Sequence, residues 1–219
     1  MNDRLTWASA RRDRYLLWCR RVEQGPYTSL DRLEFALISA HTTMSTAKRG
    51  FVLSRDAEDV SSLGLALQEG GVFASYQKAG LIMQLRDAVY EVGIPTGDYR
   101  HWRRTHKLPG LGYCKLSFGT SLIDPLGTNV VCLDVHVTRA YWPTATASDV
   151  RRIYRRLDEY ERIETLLLDE AERAEMPPFA YQWAVWDWQR GGADDHAFLW
   201  QLEPVGVQMP LFRREARDG

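Results

Sequence analysis

Cysteine is scarce in this sequence: Cys19, Cys114 and Cys132 are the three among 219 residues. They are too few and too scattered for a disulfide framework or for a four-thiolate zinc or iron–sulfur site, and they read as reduced thiols. An excess of positive charge is lacking as well. Against 29 Asp and Glu stand 28 Lys and Arg, a formal net charge of −1, so no overall basic field marks a nucleic-acid binder and any contact with a polyanion must come from a local patch. No uncharged apolar stretch approaches a membrane span, and residues 1–14 are polar and arginine-bearing, without the apolar centre of a signal peptide. These absences point to a soluble, cytoplasmic protein with no membrane partner. Paired-strand patterns and repeats of fixed period are missing too.

What is present is a chain able to bury a core, with 45% hydrophobic and 26% charged residues. Apolar residues at three- and four-residue intervals predict helices over 12–24, 29–53 and 72–92. Leu33, Phe35, Leu37, Ile38 and Ala40 make the second the most apolar and hence central. A short helix over 60–68 ends at Gly70 and Gly71. Pro95 and Gly97 break the chain before Asp98, which reads as the N-cap of a short basic helix over 99–106. Another helix covers 113–123, an apolar run over 129–133 reaches Asp134, and a helix over 135–142 stops at Pro143. Ser148 reads as the cap of a charged helical stretch to residue 175, broken near Asp158, and an aromatic helix over 179–190 follows Pro177 and Pro178.

The expected fold class is therefore all-α, as one domain or as two closely joined lobes. A tail over 204–219 reads as loosely held.

Between two short helices lies Leu108-Pro109-Gly110-Leu111-Gly112, a tight turn with glycines where side chains would keep a ligand from the backbone. Backbone N–H groups in such a turn, beside a helix N-terminus, suit a phosphate oxygen. A bare packing corner between helices uses the same residues. One helix and one loop further on comes Val130-Val131-Cys132-Leu133-Asp134-Val135-His136-Val137. Asp134 is a carboxylate at the junction of an aliphatic run and a helix start, a position that also describes a plain N-cap.

This combination, a leucine-proline-glycine-aliphatic-glycine hairpin, then a helix, then an aliphatic run into aspartate-x-histidine, resembles the helix-hairpin-helix (HhH-GPD) DNA glycosylase superfamily, in particular endonuclease III-like and 8-oxoguanine glycosylase-like enzymes. The stretch Phe35-Ala36-Leu37-Ile38-Ser39-Ala40-His41-Thr42-Thr43 resembles the family helix that ends near the DNA-penetrating residue. The likeness spans about 29–190 and implies a single unit of two interleaved helical lobes, 28–142 with the hairpin region at 99–123, and 1–27 joined to 143–203. It implies base flipping on single- or double-stranded DNA by a monomer, with Asp134 as catalytic aspartate and Leu108, Gly110, Leu111 and Gly112 as phosphate grip. His41 falls where the family carries a gap-filling residue. Two positions after the second hairpin glycine, where bifunctional members have a Schiff-base lysine, stands Cys114; Lys115 follows one place late, rotated by about 100° along a helix. Members without that lysine are monofunctional and activate water. No cysteine follows Cys132, so the resemblance implies no iron–sulfur cluster and no other cofactor, with room at the hairpin for a monovalent cation.

Beside the hairpin, Arg100, Arg103, Arg104, His106 and Lys107 interleave with Tyr99 and Trp102 and form the candidate phosphate-contact patch, with Lys115. His136 reads as a structural hydrogen-bonding residue or a DNA contact. Trp183 and Trp186, with Phe179 and Tyr181, crowd the last helix; Trp186 is a pocket candidate, and Asp187, four residues after Trp183, a second carboxylate. Three readings follow: hydrolysis of an N-glycosidic bond at a damaged or modified base; amine or amino-acid transfer onto activated 5-hydroxymethyluracil, the chemistry of bacteriophage thymidine-hypermodifying enzymes of this fold; or a non-catalytic DNA-binding module.

Overall fold

The computed structural model describes residues 3–192; the predicted tail lies outside them. Among the described residues the chain is all-helical, with one isolated bridge between Leu108 and Leu111 inside the hairpin. The helices are α1 (Asp3–Ser9), α2 (Arg12–Gln24), α3 (Ser29–Ile38), α4 (Met44–Ser54), α5 (Val60–Glu69), α6 (Ser75–Val92), α7 (Tyr99–Thr105), α8 (Tyr113–Ile123), α9 (Val135–Tyr141), α10 (Ala147–Ile153), α11 (Leu157–Arg173) and α12 (Pro178–Gln189). None of them is long and apolar enough to cross a membrane.

Two predicted features are corrected. The helix expected over 29–53 is two helices, α3 and α4, separated by a turn in which His41 takes φ 54°. Hydroxyl groups explain the break: Ser39 Oγ donates to the Ala36 carbonyl, and Thr43 Oγ1 accepts from the Thr46 N–H and so starts α4 afresh. The left-handed histidine costs on the order of 1 kcal/mol, which its surroundings must offset. The cap expected at Ser148 is Thr146, whose side chain forms a reciprocal capping box with Asp149. The stretch read as 148–175 is broken close to Asp158 as expected: α10 ends at Ile153 and α11 begins at Leu157. A short helix, α1, precedes the first predicted one.

The centre is built from helices that are buried nearly all round. On α3, Leu33, Phe35, Ala36, Leu37 and Ile38 are all buried. Helix α8 lies so close to α3 that a Cβ on Gly119 would come within 2.8 Å of Leu33 Cδ2. Phe35 meets Phe51 of α4 edge-on and also touches Phe118 of α8. On α12, Phe179, Tyr181, Trp183 and Val185 are buried, and the helix packs against α1, α2, α9 and α11. Each such side chain contributes roughly 1.5–3 kcal/mol by leaving water. The buried set is continuous from Ala8 to Val185, so α8 and the Asp134 segment are mounted on one core.

Candidate active site

The hairpin begins with α7, capped as expected by Asp98, whose carboxylate accepts from the His101 N–H and from Asn129 Nδ2. Leu108 and Leu111 are buried anchors, and the Leu111 N–H closes the turn on the Leu108 carbonyl at 3.1 Å. The two glycines differ. Gly110 has φ +72°, and a Cβ there would meet Leu37 Cδ1 at 2.8 Å, so the fold itself requires glycine. Gly112 has an ordinary φ of −69° and open space where a Cβ would stand. It is the N-cap of α8 without a side-chain cap, so the first N–H groups of that helix are not met by a capping side chain.

Asp134 is half-buried and N-caps α9. Its Oδ1 accepts from the His136 and Val137 N–H groups, both at 2.9 Å, and its Oδ2 accepts from Trp186 Nε1 at 2.8 Å. The residues leading to it form an extended, buried ledge without strand partners, so its amides need side-chain acceptors. Val131 N–H donates to Glu164 Oε1, Cys132 N–H to Gln182 Oε1, and Leu133 N–H to Tyr160 Oη. Tyr160 Oη in turn donates to the Val131 carbonyl at 2.7 Å, and Thr138 Oγ1 to that of Leu133. Helices α11 and α12 thus fix the backbone on which Asp134 stands.

Several expected residues do converge. Cys114, on the first turn of α8, lies 3.4 Å from Cys132, Sγ to Sγ, and so joins the hairpin helix to the ledge. The hydrogen bond to Cys114, together with burial, holds the Cys132 thiol well above its ordinary pKa. Lys115 Nζ donates to Ser39 Oγ at 2.9 Å and lies over the Phe118 ring, on a different face of α8 from Cys114. His136 meets Trp186 edge-on at 5.8 Å, so these two and Asp134 are neighbours. His41 is exposed on the α3–α4 turn; Lys115 reaches that turn at Ser39, while Gly110 packs on Leu37 in the last turn of α3.

Others are placed elsewhere. Arg103 is corrected as a phosphate contact: it is 3% exposed, and its guanidinium donates to both oxygens of fully buried Glu164, to Glu161 and to Ser117 Oγ. Arg100 also turns to α11, donating to Glu164 and Thr165. Arg104 is half-exposed but paired with Glu161, whereas Lys107 is exposed. His106 stacks on Trp102 at 4.5 Å. Asp187 is corrected as a second site carboxylate: it is wholly buried and accepts from Tyr15 Oη of α2 at 2.6 Å, one helical position away from Trp186 and hence on another face.

Sequence reasoning missed Tyr160, Glu164 and Gln182. Their signal was a polar residue on an apolar stripe: Glu164 follows Ile163 and precedes Leu167 on the buried side of α11. Lys78 was also missed. It is buried on α6, and its ammonium donates to the carbonyls of Ile38 and Ala40 and to Thr42 Oγ1. Among the described residues no three His, Cys, Asp or Glu side chains group as metal ligands.

No protein-family model matches the sequence, and no curated protein matches it. The structure is similar to the crystal structure of the 8-oxoguanine DNA glycosylase of Thermotoga maritima, with a TM-score of 0.68 over 88% of this chain and 98% of that one, at 16% identity. The likeness at that identity is one of fold. The all-helical class expected from the apolar spacing is thus the one observed among the described residues, and the fold is that of the helix-hairpin-helix glycosylase it matches.

Proposed function

We propose that the chain is a monofunctional DNA N-glycosylase that flips a damaged or modified base and hydrolyses its N-glycosidic bond. The observation that carries this reading is the setting of Asp134, a half-buried carboxylate oriented by two backbone N–H groups and an indole N–H on a ledge joined to the hairpin helix. Three donors occupy its oxygens, and a carboxylate offers about four acceptor positions, which leaves room for one water.

The hairpin N–H groups, with exposed Lys107, grip phosphates and position the strand without reading sequence. Flipping costs roughly a few kcal/mol, which these contacts and a wedge at His41 offset. As the bond from C1′ to the base nitrogen breaks, the electron pair leaves with the base and positive charge develops on the sugar. The Asp134 carboxylate stabilises that charge, and the water adjacent to it adds to C1′, its proton passing to the carboxylate and then to the departing base. Lyase chemistry needs an amine at C1′. Cys114 stands at the position where bifunctional relatives carry that amine, and Lys115 Nζ is committed to Ser39.

The test is mass spectrometry of intact DNA strands carrying a panel of damaged and 5-substituted bases, incubated with and without free amines. Loss of one base, leaving a heat-labile abasic site, is the expected result. Asp134→Asn is expected to abolish it with DNA affinity unchanged, and Trp186→Phe, which removes the Oδ2 donor, to slow it about tenfold. A mass gain that requires the amine would replace hydrolysis by transfer onto a retained base. Binding with no product on any substrate would reduce the chain to a DNA-binding module.

A further inference from the structure

The turn between α3 and α4 carries an exposed imidazole in a backbone conformation that histidine rarely adopts. What holds it there is a buried ammonium. Lys78 is 6% exposed and reaches from α6 to donate to Ile38 O at 2.8 Å, Ala40 O at 2.6 Å and Thr42 Oγ1 at 2.9 Å, so its three N–H bonds are matched by three acceptors on both sides of His41. Lys115 secures Ser39 from the other side, through α8. The end of α3 would otherwise leave carbonyls without partners. The hairpin packs on the end of α3 that leads into this turn, where a Cβ on Gly110 would meet Leu37 Cδ1 at 2.8 Å.

We propose that Lys78 is a positioning residue for base flipping: its ammonium locks the turn 38–42 so that the His41 ring is presented, already ordered, to the gap that an extruded nucleotide leaves in the DNA stack. The inference rests on the DNA-flipping reading above and not on the hydrolytic step. Without the clamp the turn has to order itself during each flipping event, and that cost falls on flipping and not on the grip of the phosphates.

The experiment uses the full chain and DNA with 2-aminopurine beside the target base, whose fluorescence rises when its neighbour unstacks. Lys78→Met, His41→Ala and the double variant are compared for affinity and for the fluorescence change, with Thr42→Val as a milder loss of one clamp acceptor. The expected result is a flipping equilibrium about tenfold less favourable in each single variant, with affinity for undamaged DNA within about threefold of the parent. The double variant is expected to be no worse than either single one, because both act through one element. Additive losses in the double variant, or an undiminished signal in Lys78→Met and Thr42→Val, would overturn the proposal. If Lys78→Met does not fold, the Thr42→Val and His41→Ala pair gives the same cycle. A chain that unstacks DNA normally but releases no base would refute the glycosylase reading while leaving this one standing.

Discussion

Each backbone amide from Val131 to Leu133 is met by a buried side chain of α11 or α12, whereas the turn carrying His41 hangs on one ammonium from α6 and one hydroxyl held from α8. The ledge under Asp134 therefore shares its partners with the ion pairs of the core, and it can move only if the core does. The turn draws on two lysines, Lys78 and Lys115, that take no part in those ion pairs. A carboxylate that must face a developing charge needs a fixed backbone, while a wedge that enters a polymer needs order that can be lost and regained locally. The comparison can be broken by asking which damage spreads through the whole molecule and which stays local.

The largest effect is expected at Glu164. Its fully buried carboxylate receives Arg103 and Arg100 and also the Val131 N–H. Glu164→Leu takes from the Arg103 guanidinium, which is 3% exposed, its buried carboxylate partner, leaving it Glu161 and Ser117, and leaves a ledge amide without an acceptor. A loss of about 3–5 kcal/mol in urea unfolding is expected, with the ledge failing together with the fold. A loss under about 1 kcal/mol would mean that the ledge does not depend on the core charge network, and the contrast with the turn would disappear.

Next come the hairpin glycines, which separate fold from ligand within five residues. Gly110→Ala is expected to cost about 1–3 kcal/mol in unfolding, from the positive φ and the approach of Leu37, and to weaken DNA binding as a consequence. Gly112→Ala meets no protein atom, so stability is expected to stay within about 0.5 kcal/mol of the parent. A fall in its affinity for all DNA sequences alike would then report close approach of a phosphate to that backbone. Unchanged affinity in Gly112→Ala, or a loss confined to particular sequences, would remove the hairpin from the proposed phosphate grip.

These contrasts also mark what the sequence could convey. Helix α8, the Asp98 cap, the turn glycines and Asp134 were legible because each is a local device, set by residues within about one helical turn of one another. Asp134 is the N-cap that its local reading suggested, and its third donor, Trp186, came from a helix 52 residues away. Arg103 was misread for the same reason: a run of arginines looks like a solvated or ligand-facing patch until its partner is known, and Glu164 lies 61 residues further along the chain. The break between α3 and α4 was hidden because the apolar spacing of 29–53 persists through it. Two hydroxyls and a lysine from α6 terminate the helix, and neither glycine nor proline marks the place.

The smallest expected effect is also the most specific to the turn. Burial, followed by the charge of Lys115 facing it from α8, brings the Lys78 ammonium down from its ordinary value to about 8. Because the folded value lies below the unfolded one, the unfolded chain holds a proton through the interval above pH 8 that the folded chain has released. This group's contribution to stability therefore rises with pH across that interval and is absent below it. The clamp runs the other way, since a neutral amine has two N–H bonds for three acceptors. Raising the pH from about 7 to about 9.5 is thus expected to lower the 2-aminopurine flipping signal of the parent while the stability difference, parent minus Lys78→Met, grows in urea unfolding. In the variant the flipping signal should be flat over the same range. A parent whose flipping and stability difference fall together would show that Lys78 supports the fold as a whole, and the turn would then belong with the ledge.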